Sequence, residues 1–293
     1  MSQVVRSLVG VFAAGLALLY PAYQAGLLDV WLVIFGLLCV LATCLVCFVL
    51  IRKSGENAGI ELKAGKIFRD CPDCPEMIVI PAGGFDMGTN DAQDDEKPVH
   101  RVTISQPFAL GKIEVTQAEW SAVMGGNPSD ISYIGDNYPV ENVSWDDAQE
   151  FIRRLNQITG KQYRLPREAE WEFACHAKEK PPYCGDDDLA NAAWYGAGAT
   201  AAGDASKLCE QTNFYGLCDK SRNVWEWVED NYHENYNGAP ADGSARQGNN
   251  TVRVLRGGSW GIAPWGIGEG GRIGCPPEIC SPNIGFRLAR TLS

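Results

Sequence analysis

Cysteine has the widest chemistry of any residue type in this chain of 293 residues, and there are eleven of them. Cys39, Cys44 and Cys47 fall inside a long uncharged apolar run, where a thiol acts as a small hydrophobic group. Cys71 and Cys74 form a C-x-x-C pair, Cys71-Pro-Asp-Cys74, for which three readings stand: inert structural thiols, a disulfide, or a metal or redox pair. Zinc needs two more ligands, and none lies at typical spacing nearby. Pro72 and Pro75 disfavour the strand–helix setting of a thioredoxin-like pair. Cys275 and Cys280 lie five apart in a Pro/Gly-rich stretch and pair only in an oxidising compartment. The three histidines, His100, His176 and His233, are not at metal-ligand spacing, so each is read as an ordinary surface or turn residue. Glu226 sits between Trp225 and Trp227 with Asp219 seven residues before it. A carboxylate in such an apolar setting needs a metal ion or an arginine partner.

These groups must be positioned by elements legible in the pattern. Glu76-Met-Ile-Val-Ile-Pro-Ala-Gly reads as a buried strand ending in a turn. Residues 99–104 and 108–113 alternate as strands do. Thr116 followed by Glu119 is a capping-box start. Ser144 opens a helix over 146–158 whose apolar face is Ala148, Phe151, Ile152 and Leu155, and Gly160 stops it. Residues 167–176 read as a third short helix. Beyond them Gly, Asn, Asp and aromatic residues dominate, as in irregular segments held by a scaffold. Nine Trp and 32 Gly suit a loop-rich domain rather than a helical bundle.

The formal net charge is −11. The first 53 residues hold Arg6, Arg52, Lys53 and Asp29, which leaves 22 basic and 35 acidic residues for the rest. That balance argues against nucleic acid as a partner, because phosphate binding needs clustered Lys and Arg. Residues 7–26 and 30–51 are uncharged and long enough to cross a bilayer. The first contains Pro21 and could also serve as a signal-peptide core. The reading adopted is a transmembrane helical hairpin over 1–53, integral to a bacterial-type inner (cytoplasmic) membrane. A linker carrying the C-x-x-C pair follows over 54–75, and a globular domain over 76–293. Arg6, Arg52, Lys53, Lys63, Lys66 and Arg69 then share one side, which the positive-inside rule puts in the cytoplasm. If only the second run inserts, the domain faces outward.

Seven motifs in order resemble the formylglycine-generating-enzyme, or sulfatase-modifying-factor, family. They are MIVIPAGGFDMG (77–88), KIEVTQAEWSAVM (112–124), PVENVSWDDAQEFIRRLN (139–156), YRLPREAEWEFAC (163–175), GLCDKSRNVWEWVED (216–230), RVLRGGSW (253–260) and NIGFRLAR (283–290). The resemblance implies an α+β, C-type-lectin-like fold with little regular secondary structure. It also implies structural calcium, held by the Asp219 and Glu226 carboxylates with the Arg222 and Val224 carbonyls, and Asn191 at a second site. The alternative for Glu226 is an ion pair with Arg256 or Arg287. Cys218, Lys220 and Arg222 stand where the family usually has Tyr, Met and Gly.

In the oxidases of this family two cysteines just after the Gly-Gly-Ser-aromatic motif bind copper, as soft thiolates do. Here those positions are Ile262 and Ile267, so no copper is expected and catalysis is not expected. The segment between RGGSW and NIGFR resembles instead the variable region of proteins diversified by retroelements. Gly261, Ile262, Trp265, Gly266, Ile267, Ile273, Cys275, Ile279 and Cys280 are its candidate ligand-binding residues, an apolar surface suited to a protein or peptide.

Overall fold

The computed structural model describes residues 63–130, 134–177, 212–218, 223–259 and 271–292. The chain divides into two compact units, Met1–Ile60 and Glu61–Ser293. All the described residues belong to the second, so the two apolar runs and the expected helical hairpin lie outside them. Among the described residues no helix is long and apolar enough to cross a membrane.

Among the described residues the domain has three sheets and three α-helices. The first sheet joins β1 (Ile67–Phe68), β2 (Met77–Ile80), β5 (Phe108–Gly111), β11 (Ala289–Thr291) and β6 (Tyr163–Arg164) in that order. The chain's last strand thus lies between β5 and β6, antiparallel to both. A hairpin pairs β3 (Gly83–Met87) with β4 (His100–Ile104). The third sheet has the order β10 (Ile284–Gly285), β7 (Trp225–Asn231), β8 (Arg253–Arg256), β9 (Arg272–Cys275). Two of the sequence boundaries shift. Residues 67–68, read as linker, form an edge strand on β2. Residues 272–275, read as irregular, pair with β8.

Helices α1 (Gln117–Met124) and α2 (Trp145–Thr159) begin and end where their caps require. The Thr116 and Ser144 hydroxyls accept from the backbone N–H groups of Glu119 and Asp147, whose carboxylates accept in return from the cap N–H groups. Gly125 and Gly160 end the helices at φ 85° and 67°, where a side chain is strained. Ala148, Phe151, Ile152 and Leu155 of α2 are buried, and the Phe151 ring stacks on Trp120 at 5.3 Å. Each large side chain so buried contributes roughly 1.5–3 kcal/mol.

Helix α3 (Glu168–His176) is different, because every residue of it is buried, including Glu168, Glu170 and Glu172. Three buried carboxylates on one short helix are tolerable only if each is paired. Arg164 forms a two-pronged pair with Glu170 at 2.6 and 2.7 Å. The partners of Glu168 and Glu172 come from the third sheet, and they fix the site described next.

Candidate ligand-display site

Strands β8 and β9 are the two limbs of a long excursion. Its last paired residues before the chain leaves the sheet are Arg256 and Arg272, opposite one another across the ladder. Two like charges side by side in a buried sheet repel, so carboxylates must sit between them and the helix. Arg256 Nη2 donates to Glu172 Oε2 at 2.6 Å, and the other oxygen of Glu172 accepts from Gly88 N at 2.7 Å. Arg272 grips Glu168 with Nε and Nη2 at 2.7 and 3.2 Å. Its Nη1 donates to the carbonyls of His233 and Asp95, and its guanidinium lies 4.8 Å from the Tyr232 and Tyr236 ring centroids. Burial pushes the Glu168 carboxyl up, but Arg272 and Arg256 together outweigh it and hold the group below its ordinary value. Beside it, burial and the Glu168 charge push Asp230 up to about 7. Its two oxygens accept from the backbone N–H groups of Glu168 and Arg246.

After Arg256 the backbone turns through Gly257 and Gly258 at φ 94° and 74°, conformations that favour glycine. Ser259 follows, fully buried, and its hydroxyl accepts from Asn283 Nδ2 at 3.1 Å. Asn283 in turn accepts from Ser281 Oγ at its side chain and from Trp225 N at its carbonyl. The two ends of the segment, some two dozen residues apart, are therefore tied to each other and to β7.

On the returning limb a turn runs from Pro276 to Ile279, closed by Ile279 N donating to Pro276 O at 3.1 Å. The start of α2 holds it: Trp145 N donates to Pro277 O, and Asn142 N donates to Ser281 O. Trp145 is itself fixed by its indole N–H on Val228 O and by the Arg253 guanidinium 4.0 Å above its ring. On this fixed limb Ile273 and Ile279 are 39% and 42% exposed, large values for isoleucine, and Cys280 is exposed while Cys275 is half-buried. Gly274 faces the other way: a Cβ there would fall 2.6 Å from the Tyr232 ring.

Of the candidate ligand-binding residues, the structure thus brings Ile273, Cys275, Ile279 and Cys280 onto one limb. Gly261, Ile262, Trp265, Gly266 and Ile267 lie outside the described residues. So do Asp219, Arg222 and Asn191 of the expected calcium sets. Val224 and Glu226 are buried at the start of β7. Glu226 takes the arginine alternative: Arg287 donates to both its oxygens at 2.6 and 2.7 Å, and Trp171 Nε1 adds a third bond at 2.7 Å. Among the described residues no group of three or more His, Cys, Asp or Glu could hold a metal ion.

The C-x-x-C pair is a disulfide, Cys71–Cys74, and Cys175 and Cys218 are disulfide-bonded too. Arg272, Glu168 and Glu172 are the residues that sequence reasoning passed over, and Arg256, expected as a possible partner of Glu226, pairs with Glu172 instead. The signal available was three acids at alternate positions in an otherwise apolar helix, which demands three cations. A separate open cleft of about 600 Å³ lies between α2 and β7. All three of its arginines are already in ion pairs, Arg153 with Glu150 and Arg164 and Arg167 with Glu170.

The Sulfatase-modifying factor enzyme 1-like domain matches residues 63–292. The chain is 32% identical over 284 residues to the formylglycine-generating enzyme of Streptomyces coelicolor, covering 73% of this chain and 88% of that protein. It is 28% identical over 283 residues to the inactive C-alpha-formylglycine-generating enzyme 2 of Bos taurus, covering 73% and 87%. A match to the serine/threonine-protein kinase pkn1 of Chlamydia caviae is 29% identical, but the chain spans only 38% of that protein's length and the match covers 73% of this chain. Among solved structures, PvdO from Pseudomonas aeruginosa superposes with a TM-score of 0.70 at 34% identity, covering 78% of this chain and 99% of that one. Treponema denticola variable protein 1 superposes with a TM-score of 0.64 at 26% identity, covering 77% and 98%.

Proposed function

The chain belongs to the Sulfatase-modifying factor enzyme 1-like family, and from that premise we propose that it is a membrane-anchored binding module, not an oxidase, which presents residues 261–282 to a protein or peptide ligand. One observation carries the reading: Ile262 and Ile267 occupy the positions where the family's oxidases place their copper-binding cysteines. Isoleucine offers no lone pair to a metal and no sulfur to a substrate thiol. The family frame around the segment is nevertheless built, with its ends tied through Ser259 and Asn283 and its limbs through Arg256 and Arg272. A fixed base beneath exposed Ile273 and Ile279 suits recognition, since a preorganised apolar surface loses little freedom on binding. The likeness to a variable protein and to an inactive enzyme of the family supports the same reading.

The anchor is the apolar sequence before residue 54, in a bacterial-type cytoplasmic membrane. The bonded cysteines Cys71, Cys74, Cys175 and Cys218 support the outward-facing of the two topologies, because such bonds persist in oxidising compartments.

The full chain in nanodiscs, panned against a random-peptide phage library, is expected to enrich peptide families that an Ile273→Ser/Ile279→Ser variant no longer enriches. The 32% identity to an active formylglycine-generating enzyme favours a second reading, an oxidoreductase with an altered site. Conversion of cysteine to formylglycine in a sulfatase-motif peptide, with copper and oxygen supplied, would establish that reading and sink the first. Diversification has its own check in the DNA. A near-copy of the stretch encoding residues 255–287, differing at adenines and beside a reverse-transcriptase gene, is expected; its absence removes that part of the proposal.

A further inference from the structure

We infer that Cys275 and Cys280 are a disulfide-forming pair, which closes a six-residue ring over the turn that carries Ile279 and so locks the returning limb of the display segment. The inference takes its oxidising compartment from the outward topology above.

The other described cysteines, Cys71, Cys74, Cys175 and Cys218, are all bonded, and Cys275 and Cys280 are the free thiols among them. They lie on the two arms of one turn, each next to a residue whose backbone closes it. Both arms are held from outside the turn. Cys275 is in β9, opposite Arg253, and Ser281 beside Cys280 is bonded to Asn142. A turn closed between Pro276 and Ile279 brings its two arms toward each other, and a disulfide needs its Cα atoms at about 4.4–6.8 Å. The chain already closes one ring of this kind. Cys71 and Cys74 flank Pro72 and Asp73, with Cys74 N donating to Cys71 O at 3.1 Å and Cα atoms 5.0 Å apart.

Neither thiol has a strong competing role. The Cys280 Sγ–H has long contacts, 3.9 Å to Asp147 Oδ2 and to Glu278 O, and Ser144 hydrogen-bonds to the same sulfur. Asp147 Oδ2 is already engaged by the Ser144 N–H and hydroxyl, so turning Cys280 away leaves the helix cap intact. Cys275 lies at the edge of the apolar core, packed against it and half-buried.

The chemistry balances with a small-molecule disulfide such as oxidised glutathione. The Cys280 thiolate attacks one glutathione sulfur, forms a mixed disulfide and releases one glutathione thiolate. The Cys275 thiolate then attacks Cys280 Sγ, forms the ring and releases the second. Two protein thiols are oxidised, one glutathione disulfide is reduced, and the two protons pass to solvent or to the departing thiolates. Burial and the carboxylates of Glu278 and Asp147 raise both thiols above their ordinary value. Closure is therefore slow at neutral pH and accelerates by up to about tenfold per pH unit as the thiolate fraction grows.

The test uses the full chain in nanodiscs, incubated with oxidised glutathione, quenched with a maleimide and digested with trypsin. Cleavage after Arg272 and Arg287 gives one peptide, 273–287, that holds both cysteines. The expected peptide is lighter than the dithiol by two hydrogens and carries no maleimide. A Cys280→Ser chain is expected to stop at a glutathione adduct on Cys275. Two maleimide adducts, glutathione on both cysteines, or a disulfide-linked dimer would each overturn the inference. The readout involves no ligand, so failure of the display reading leaves it standing, and its own failure leaves the display reading standing.

Discussion

The proposed display segment has a base and a rim, and they are built on opposite principles. The base is polar and largely buried: the ion pairs of Arg256 with Glu172 and Arg272 with Glu168, and the hydrogen bond from Asn283 to Ser259. The rim is apolar and exposed: Ile273, Ile279 and the thiol of Cys280. In most globular domains the apolar groups lie inside and the charges outside. The inversion is informative. A buried ion pair contributes little net stability, but losing one partner is costly, so it enforces one arrangement of the limbs. An exposed isoleucine contributes little to folding, so its identity is open to change. That division is what the proposed display function requires: a frame that holds its shape beneath contact residues open to change.

The strongest way to break the base is to orphan a buried charge. Arg272→Met leaves Glu168 with the Arg256 guanidinium at 3.5 Å and the Tyr236 hydroxyl at 3.1 Å, and strips the cation from between Tyr232 and Tyr236. A loss of about 3–5 kcal/mol in unfolding free energy is expected, measured by denaturant unfolding of the domain. Arg272→Met with Glu168→Gln should recover part of it, because the double change removes the uncompensated carboxylate. A double variant no more stable than Arg272→Met alone would mean that packing, not charge, fixes the limbs.

A smaller effect separates the two sides of β9. Gly274 lies between exposed Ile273 and half-buried Cys275, yet a Cβ there would meet the Tyr232 ring at 2.6 Å and Val252 Cγ1 at 2.9 Å. Gly274→Ala is expected to cost about 1–3 kcal/mol through overpacking. If it costs nothing, Tyr232 is free to move, and the limb is not held as firmly as its hydrogen bonds imply.

What the sequence revealed and what it hid follow the same physical divide. Caps are local: Thr116 with Glu119, Ser144 with Asp147 and the stops at Gly125 and Gly160 involve residues within a few positions. Strands β2, β4 and β5 declare themselves by apolar content and alternation. The base of the site depends on distant partners, with Arg272 and Glu168 separated by 104 positions and Arg287 and Glu226 by 61. No local pattern pairs them, and nothing near Glu226 in the sequence singles out Arg287 as its partner. Strand β9 was hidden for a related reason. Arg-Ile-Gly-Cys has no clean alternation and is flanked by Gly and Pro, and it is a strand because β8 lies beside it. The identities of Ile262 and Ile267, by contrast, are read directly from the sequence.

The smallest stability effect is expected at the rim, and it is the most decisive for function. Ile273→Ser and Ile279→Ser remove apolar surface that already faces water, so the transfer free energy that makes core substitutions costly is largely absent. Surface changes of this kind stay within about 0.5 kcal/mol. Binding is governed differently, because a partner that covers these side chains removes their remaining apolar area from water, and a few central contacts carry most of the energy of an interface. The double variant should therefore unfold at nearly the wild-type temperature and lose peptide capture. If it unfolds well below wild type, Ile273 and Ile279 belong to the base, and the division between a fixed frame and a changeable face fails at the residues that define it.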